Sequence, residues 1–202
     1  MTLPTVQQIR ALHEKYAPTR AAFELVHTHC EIVSRIAEQL LARAAGTLDA
    51  DLVRTGALLH DIGVYRLNGA GYIRHGILGH EILRDEGFPE RLGRFCSCHV
   101  GVGLTRHDVL SGKLDVPVAD YLAETAEEQL VMYADKFHTK SSPPAFLSVE
   151  SYEAFLAMRF GPEKVRAFHA LRERFGVPDL TALRAEYGHT QAVSVTLRAT
   201  PH

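Results

Sequence analysis

Apolar positions along this chain recur every three to four residues, the spacing of one helical face, and alternate as a strand would only in the tail. Val6, Ile9 and Leu12 mark a packing helix within residues 4–16 that ends near Pro18, with His13 expected on the surface. A long stripe then runs from Thr19 to about Ala45 through Ala22, Leu25, Val26, Ile32, Val33, Ile36, Ala37, Leu40 and Leu41, and Gly46 is expected to close it. Asp49 predicts an N-cap for a helix whose stripe of Leu52, Val53, Gly56, Ala57 and Leu59 runs into His60. The stretch 64–74, with Gly69 and Gly71, reads as a loop. Leu78, Gly79, Ile82 and Leu83 predict a helix over about 75–86 stopped by Gly87, and Leu92, Phe95 and Cys96 a shorter one from Pro89. Residues 101–124, broken by Gly103, Gly112 and Pro117, read as an ordered loop with a short helical piece. The run Thr125-Ala-Glu-Glu128 fits a capping box for a helix over about 126–139, with Leu130, Val131 and Ala134 inward. Further helices are expected near 148–159, 162–175 and 179–187. In the tail, Val193, Val195 and Leu197 allow a short edge strand or a partner contact. Together these elements predict an all-α bundle in a single domain over residues 1–202.

Composition narrows the function. The chain has 46% hydrophobic and 23% charged residues, ordinary for one folded domain, and a net charge of -2. That balance speaks against bulk nucleic acid or a membrane surface as partner, so any anion site is local. No apolar run approaches the roughly 20 residues that span a bilayer. Three cysteines, Cys30, Cys96 and Cys98, cannot all pair, and no apolar signal segment opens the sequence, which predicts a cytoplasmic protein.

The chemistry lies in the histidines, 12 in all. His29 falls on the second helix's apolar stripe with His27 beside it, and His60 ends the third helix on its buried side. His75 and His99 share the inward faces of the next two, and Asp135 sits inward beside Ala134. Adjacent helical residues project roughly 100° apart, so His60 and Asp61 can both face one centre only where the helix ends, as Gly63 suggests. Each histidine alone has a plain explanation as a hydrogen-bonded core residue. Burying His29, His60, Asp61, His75, His99 and Asp135 without mutual use would be costly, and coordination removes the cost. Six imidazole and carboxylate donors exceed the need of one catalytic metal. They suit two ions sharing a carboxylate, with a bridging water as nucleophile, an arrangement fitted to phosphoryl transfer. Without sulfur in the set, Fe, Mn or Zn is favoured over Mg alone. Cys96-Ser97-Cys98-His99 is discounted as a zinc cluster because no second cysteine pair accompanies it. Arg66, Arg74, Arg106, His107, Lys136 and Lys140 are candidate substrate contacts, each with an alternative as a solvated loop residue or a cation at a helix end.

The ordered set His29-x-x-x-Val33, Leu59-His60-Asp61-Ile62-Gly63, His75-Gly-x-x-Gly79-x-Glu-Ile-Leu83 and Tyr133-Ala-Asp135-Lys136 resembles the HD superfamily of metal-dependent phosphohydrolases. The resemblance covers residues 19–140 and implies an HD-type helical core with extra helices on either side. A C-terminal helical extension would span about 145–188 and a tail 189–202. It implies His29, His60, Asp61 and Asp135 as ligands of a first metal, His75 and His99 completing a second, and Asp61 as bridge, with His60 and Asp61 at the catalytic centre. Possession of all six looks most like the two-metal branch, which includes bacterial symmetrical diadenosine-tetraphosphate hydrolases. The implied cofactors are two divalent or mixed-valence ions, Fe or Mn first and Zn or Mg as alternatives. The implied partner is a small phosphorylated substrate such as a nucleotide, and a homodimer is allowed. One departure stands out: Val64 occupies the position where many members carry Lys or Arg, so no phosphate contact is expected there. A di-iron HD-type oxygenase and a non-catalytic nucleotide-binding sensor are the alternatives.

Overall fold

Side-chain caps and apolar stripes set the helix boundaries. In the computed structural model, which describes residues 2–44 and 47–192, the helices are α1 (Val6–Tyr16), α2 (Arg20–Leu41), α3 (Ala50–Leu59), α4 (His75–Asp85), α5 (Glu90–Ser97), α6 (Arg106–Ser111), α7 (Ala126–Asp135), α8 (Val149–Arg159), α9 (Pro162–Phe175) and α10 (Thr181–Tyr187). Thr19, Asp49 and Ser148 each accept a backbone N–H at the helix they precede. Thr5, Thr105 and Thr125 form full capping boxes. The expected all-α architecture is therefore present.

Helix α2 runs through the middle and packs against α3 and α7, while α4 packs against α5. Ile32, Ile36 and Leu40 of α2 meet Leu59, Ile62, Ile82, Leu83 and Tyr133 in one core, which Phe168 and Phe175 of α9 extend toward the C-terminal helices. Each such side chain fully removed from water contributes roughly 1.5–3 kcal/mol. Close approach is built in at two glycines. A Cβ on Gly56 would overlap the Phe95 ring, and one on Gly63 would overlap the backbone of His75 and Gly79.

Several expectations are corrected. The 64–74 segment is not plain loop: Ile62–Arg66 and Tyr72–Arg74 form 3-10 turns. Leu25, placed on the α2 stripe, is exposed. His13 is buried, because its two ring nitrogens meet the Tyr65 hydroxyl at 3.0 Å and the Leu58 carbonyl at 2.8 Å. Helix α7 stops at Asp135 rather than near 139. Lys136 and Phe137 tighten the last turn onto the Tyr133 and Ala134 carbonyls, and the chain then enters strand β1 (His138–Thr139). This strand pairs antiparallel with β2 (Ala145–Leu147), His138 opposite Phe146, and β2 pairs parallel with β3 (Thr190–Ala192), Ala145 opposite Thr190. The small sheet fastens residues 190–192 beside the segment that follows α7. The expected closure at Gly46 and the alternating positions Val193, Val195 and Leu197 lie outside the described residues. No helix among the described residues is long and apolar enough to cross a membrane.

Candidate metal centre

His60 caps α3 with helical dihedrals, and Asp61 then turns to φ -108°, ψ 8° before the first 3-10 turn begins. The break lets two adjacent side chains face one interior point. Both are fully buried. His29 reaches the same point from α2 and Asp135 from the end of α7. The His29 Nε2 atom lies 3.0 Å from Asp135 Oδ1, 3.2 Å from Asp61 Oδ2 and 3.3 Å from His60 Nε2. On the other side of the same carboxylate, Asp61 Oδ1 lies 3.4 Å from His75 Nε2 and 3.5 Å from His99 Nε2, and those two nitrogens are 3.0 Å apart. Two donor sets result: His29, His60, Asp61 and Asp135, and Asp61, His75 and His99, each with its ligand atoms within 4.8 Å of one another.

These separations suit ions. Donors about 2.1 Å from a tetrahedral ion stand roughly 3.4 Å from each other. The tautomers point the same way. His60 Nδ1 faces the Ala57 carbonyl at 2.7 Å, His75 Nδ1 the Tyr72 carbonyl at 2.5 Å, and His99 Nδ1 the Cys96 carbonyl at 2.7 Å. A carbonyl only accepts, so each Nδ1 carries the proton, and in His75 and His99 the Nε2 of a neutral ring presents a bare lone pair to the centre. Burial pushes His75 down to about 3 and lowers His99, so both rings stay neutral. Two lone pairs then face each other across 3.0 Å, an arrangement that a cation between them relieves. Asp61 Oδ1 adds a second sign, being a buried side-chain oxygen without a hydrogen-bond partner among the described residues. The residues present in both donor sets therefore fit metal binding.

Electrostatics hold both carboxylates ionised. Burial alone would raise Asp61, but Lys140 and His60 keep it well below the usual carboxylate range; Lys136 and His29 do the same for Asp135. For His60, burial pulls downward, yet the Asp61 charge, with Cys30 and Asp135, holds it well above its ordinary value.

Two of the six substrate-contact candidates adjoin the cluster. Lys140 donates to Asp61 Oδ2, and Lys136 donates to Asp135 Oδ2 at 2.6 Å and the His99 carbonyl at 2.8 Å. Arg66 instead pairs with Asp85 and lies over the Tyr16 ring, and Arg74 pairs with Asp115. Arg106 and His107 sit exposed on α6. Three further residues adjoin the centre that sequence reasoning had not placed there. The Tyr72 ring rests against His75 with centroids 4.4 Å apart and lies 5.8 Å from the Lys140 ammonium, and it is exposed. His138 meets His29 edge to edge, and His189 meets His138 in the same way. A histidine one turn beyond Asp135 was the available signal for His138. Nothing local marks His189 or Tyr72.

Comparison with known proteins follows the same segment. A family model described as HD domain matches residues 26–140. An uncharacterized protein of Methanocaldococcus jannaschii is 42% identical over 122 residues, which cover 58% of this chain and 69% of that protein. A tRNA (cytidine(56)-2'-O)-methyltransferase of Picrophilus torridus is 40% identical over 116 residues, 56% of this chain and 31% of that protein. Its namesake from Thermoplasma volcanium is 34% identical over 133 residues, 66% of this chain and 36% of that protein. The chain thus spans about a third of the length of the two methyltransferases. Among solved structures, the HD domain of the L. monocytogenes phosphodiesterase PgpH, in complex with cyclic-di-AMP, superposes with a TM-score of 0.50 at 17% identity. That match covers 89% of this chain and 96% of that one, and shows a shared fold.

Proposed function

The chain belongs to the HD domain family, and on that premise we propose that it is a phosphohydrolase that holds two metal ions and cleaves a phosphoester or phosphoanhydride bond of a nucleotide or similar small phosphorylated substrate. One observation carries the reading: Asp61 stands between two donor sets, one oxygen toward each, with Oδ1 lacking a hydrogen-bond partner among the described residues. His29, His60 and Asp135 would hold the first ion with Asp61 Oδ2, and His75 and His99 the second with Oδ1. Fe or Mn suits this oxygen and nitrogen set best, with Zn or Mg as alternatives. When bound, the ions supply charge that activates water and neutralises a phosphoryl group.

The protein's own groups divide the remaining work. Backbone carbonyls fix the ring orientation of His60, His75 and His99 before any ligand arrives, which lowers the reorganisation needed. Lys140 places a cation beside Asp61, supplying near the centre the charge that Val64 does not, and would contact a phosphate oxygen once Asp61 is engaged by metal. The neutral Tyr72 hydroxyl, held in the same surroundings, would donate to the same group. Three free, buried cysteines agree with a reducing cytoplasm.

The test is phosphate release by the purified protein, reloaded with Mn(II) or Fe(II), against mononucleotides, dinucleoside polyphosphates and cyclic dinucleotides. Metal-dependent turnover of one class is expected. Inactivity across the panel with both ions confirmed bound would contradict a hydrolase and favour the sensor alternative.

A further inference from the structure

Three of the four histidines at the centre anchor their outer nitrogen on a backbone carbonyl, and His29 does not. Its Nδ1 lies 2.8 Å from Nδ1 of His138, and His138 Nε2 lies 3.0 Å from Nδ1 of His189. The three rings meet edge to edge with small tilts, His29 and His138 with centroids 5.1 Å apart at 29°, then His138 and His189 5.2 Å apart at 18°. His138 is 4% exposed and lies across from Phe146, whose ring packs on it at 4.9 Å, while His189 is partly exposed next to β3. We propose that His138 and His189 are positioning residues that fix the tautomer and ring orientation of His29 for metal binding, so that the C-terminal strand pairing is part of the centre. The inference rests on the metal-binding reading above.

The hydrogen bonds leave one consistent order. If His29 offers the Nε2 lone pair to an ion, its Nδ1 carries the proton and donates to His138 Nδ1. A neutral His138 then has its proton on Nε2, which donates to His189 Nδ1. A ladder of imidazoles replaces the carbonyl that serves each other ring, and outer partners of this kind typically change metal affinity 10–100-fold when lost. Its far rung, His189, lies beyond residues 26–140 matched by the family model, so that rung belongs to this chain's C-terminal extension.

The test uses the full chain and Zn(II) alone as probe, read by titration calorimetry and by 15N NMR of the histidine side chains. His138→Phe keeps a ring at this position but removes the acceptor, whereas His138→Asn restores an acceptor near the position of Nδ1. The proposal expects wild type to bind Zn(II) with His29 as the Nδ1–H tautomer. His138→Phe should bind more weakly by about 10-fold or more, His138→Asn should recover most of the loss, and His189→Phe should show a smaller loss. Metal-free melting temperatures report folding separately. Equal affinity and an unchanged His29 tautomer in a folded His138→Phe chain would overturn the ladder while leaving the metal reading intact. Equal loss in the Phe and Asn variants would also overturn it, since packing rather than hydrogen bonding would then be responsible. A wild-type chain that binds no Zn(II) would instead overturn the metal reading and the ladder with it.

Discussion

Asp61 is fully buried and ionised, with its two oxygens turned toward different histidine groups. Asp61→Asn keeps the shape and removes the charge both ions need. Phosphohydrolase activity should fall about 10³-fold or more, measured as kcat with metal in excess, on the scale of losing one charge-stabilising group. Lys140→Ala is expected to weaken kcat/KM about 10–100-fold while leaving the bound metal unchanged, because Lys140 touches Asp61 without belonging to either donor set. His13 makes a separate claim about stability. Burial lowers it to about 4, below an unfolded value near 6.5, so the unfolded chain takes up the proton first. Its contribution is complete above about pH 6.5 and is lost as pH falls toward 4. Between pH 7 and 5 the metal-free wild type should lose about 2 kcal/mol more than His13→Phe in urea unfolding, and parallel pH profiles would refute the assignment. Inward-facing histidines and aspartates were readable because helical spacing puts them on apolar faces. The burial of His13 was not, since it depends on Leu58 and Tyr65, some fifty residues away.

The helices were legible because each carries its own cap and stripe, and the three after Pro144 fall within a residue or two of expectation. The strands were not. Two or three residues are too few for a period-2 pattern to register, and their pairing joins segments far apart in sequence. Gly63 shows a signal read for the wrong reason. It suggested a turn after a helix end, whereas its φ is not positive and its hydrogen lets the first 3-10 turn lie against α4. Gly63→Ala should therefore cost roughly 3 kcal/mol, the upper end for overpacking, and release His75 from the centre. Urea unfolding and Zn(II) affinity would both show it, and near-wild-type values would contradict the close-packing reading. The arginines of the 64–74 segment were ambiguous because loop charges show no partner in sequence; the structure supplies Asp85 and Asp115.

The bundle and the extension behind it act as one frame. Lys164 of α9 holds the Gly103 carbonyl at 2.7 Å and Asp108 at 2.6 Å, tying the C-terminal helices to the 101–124 loop. The Tyr133 hydroxyl, near the end of α7, donates to the Gly176 carbonyl at 2.8 Å. Six donors drawn from α2, the α3 end, α4, the α5 end and the end of α7 meet only because those helices share one core, so the centre reports on the fold as a whole. The most direct measurement is therefore the metal content per chain after Mn(II) reloading and removal of excess, by plasma mass spectrometry on protein of known concentration. Two ions per wild-type chain are expected, with both lost or severely depleted in Asp61→Asn. One ion or none in wild type, or two retained in Asp61→Asn, would contradict a centre bridged by Asp61.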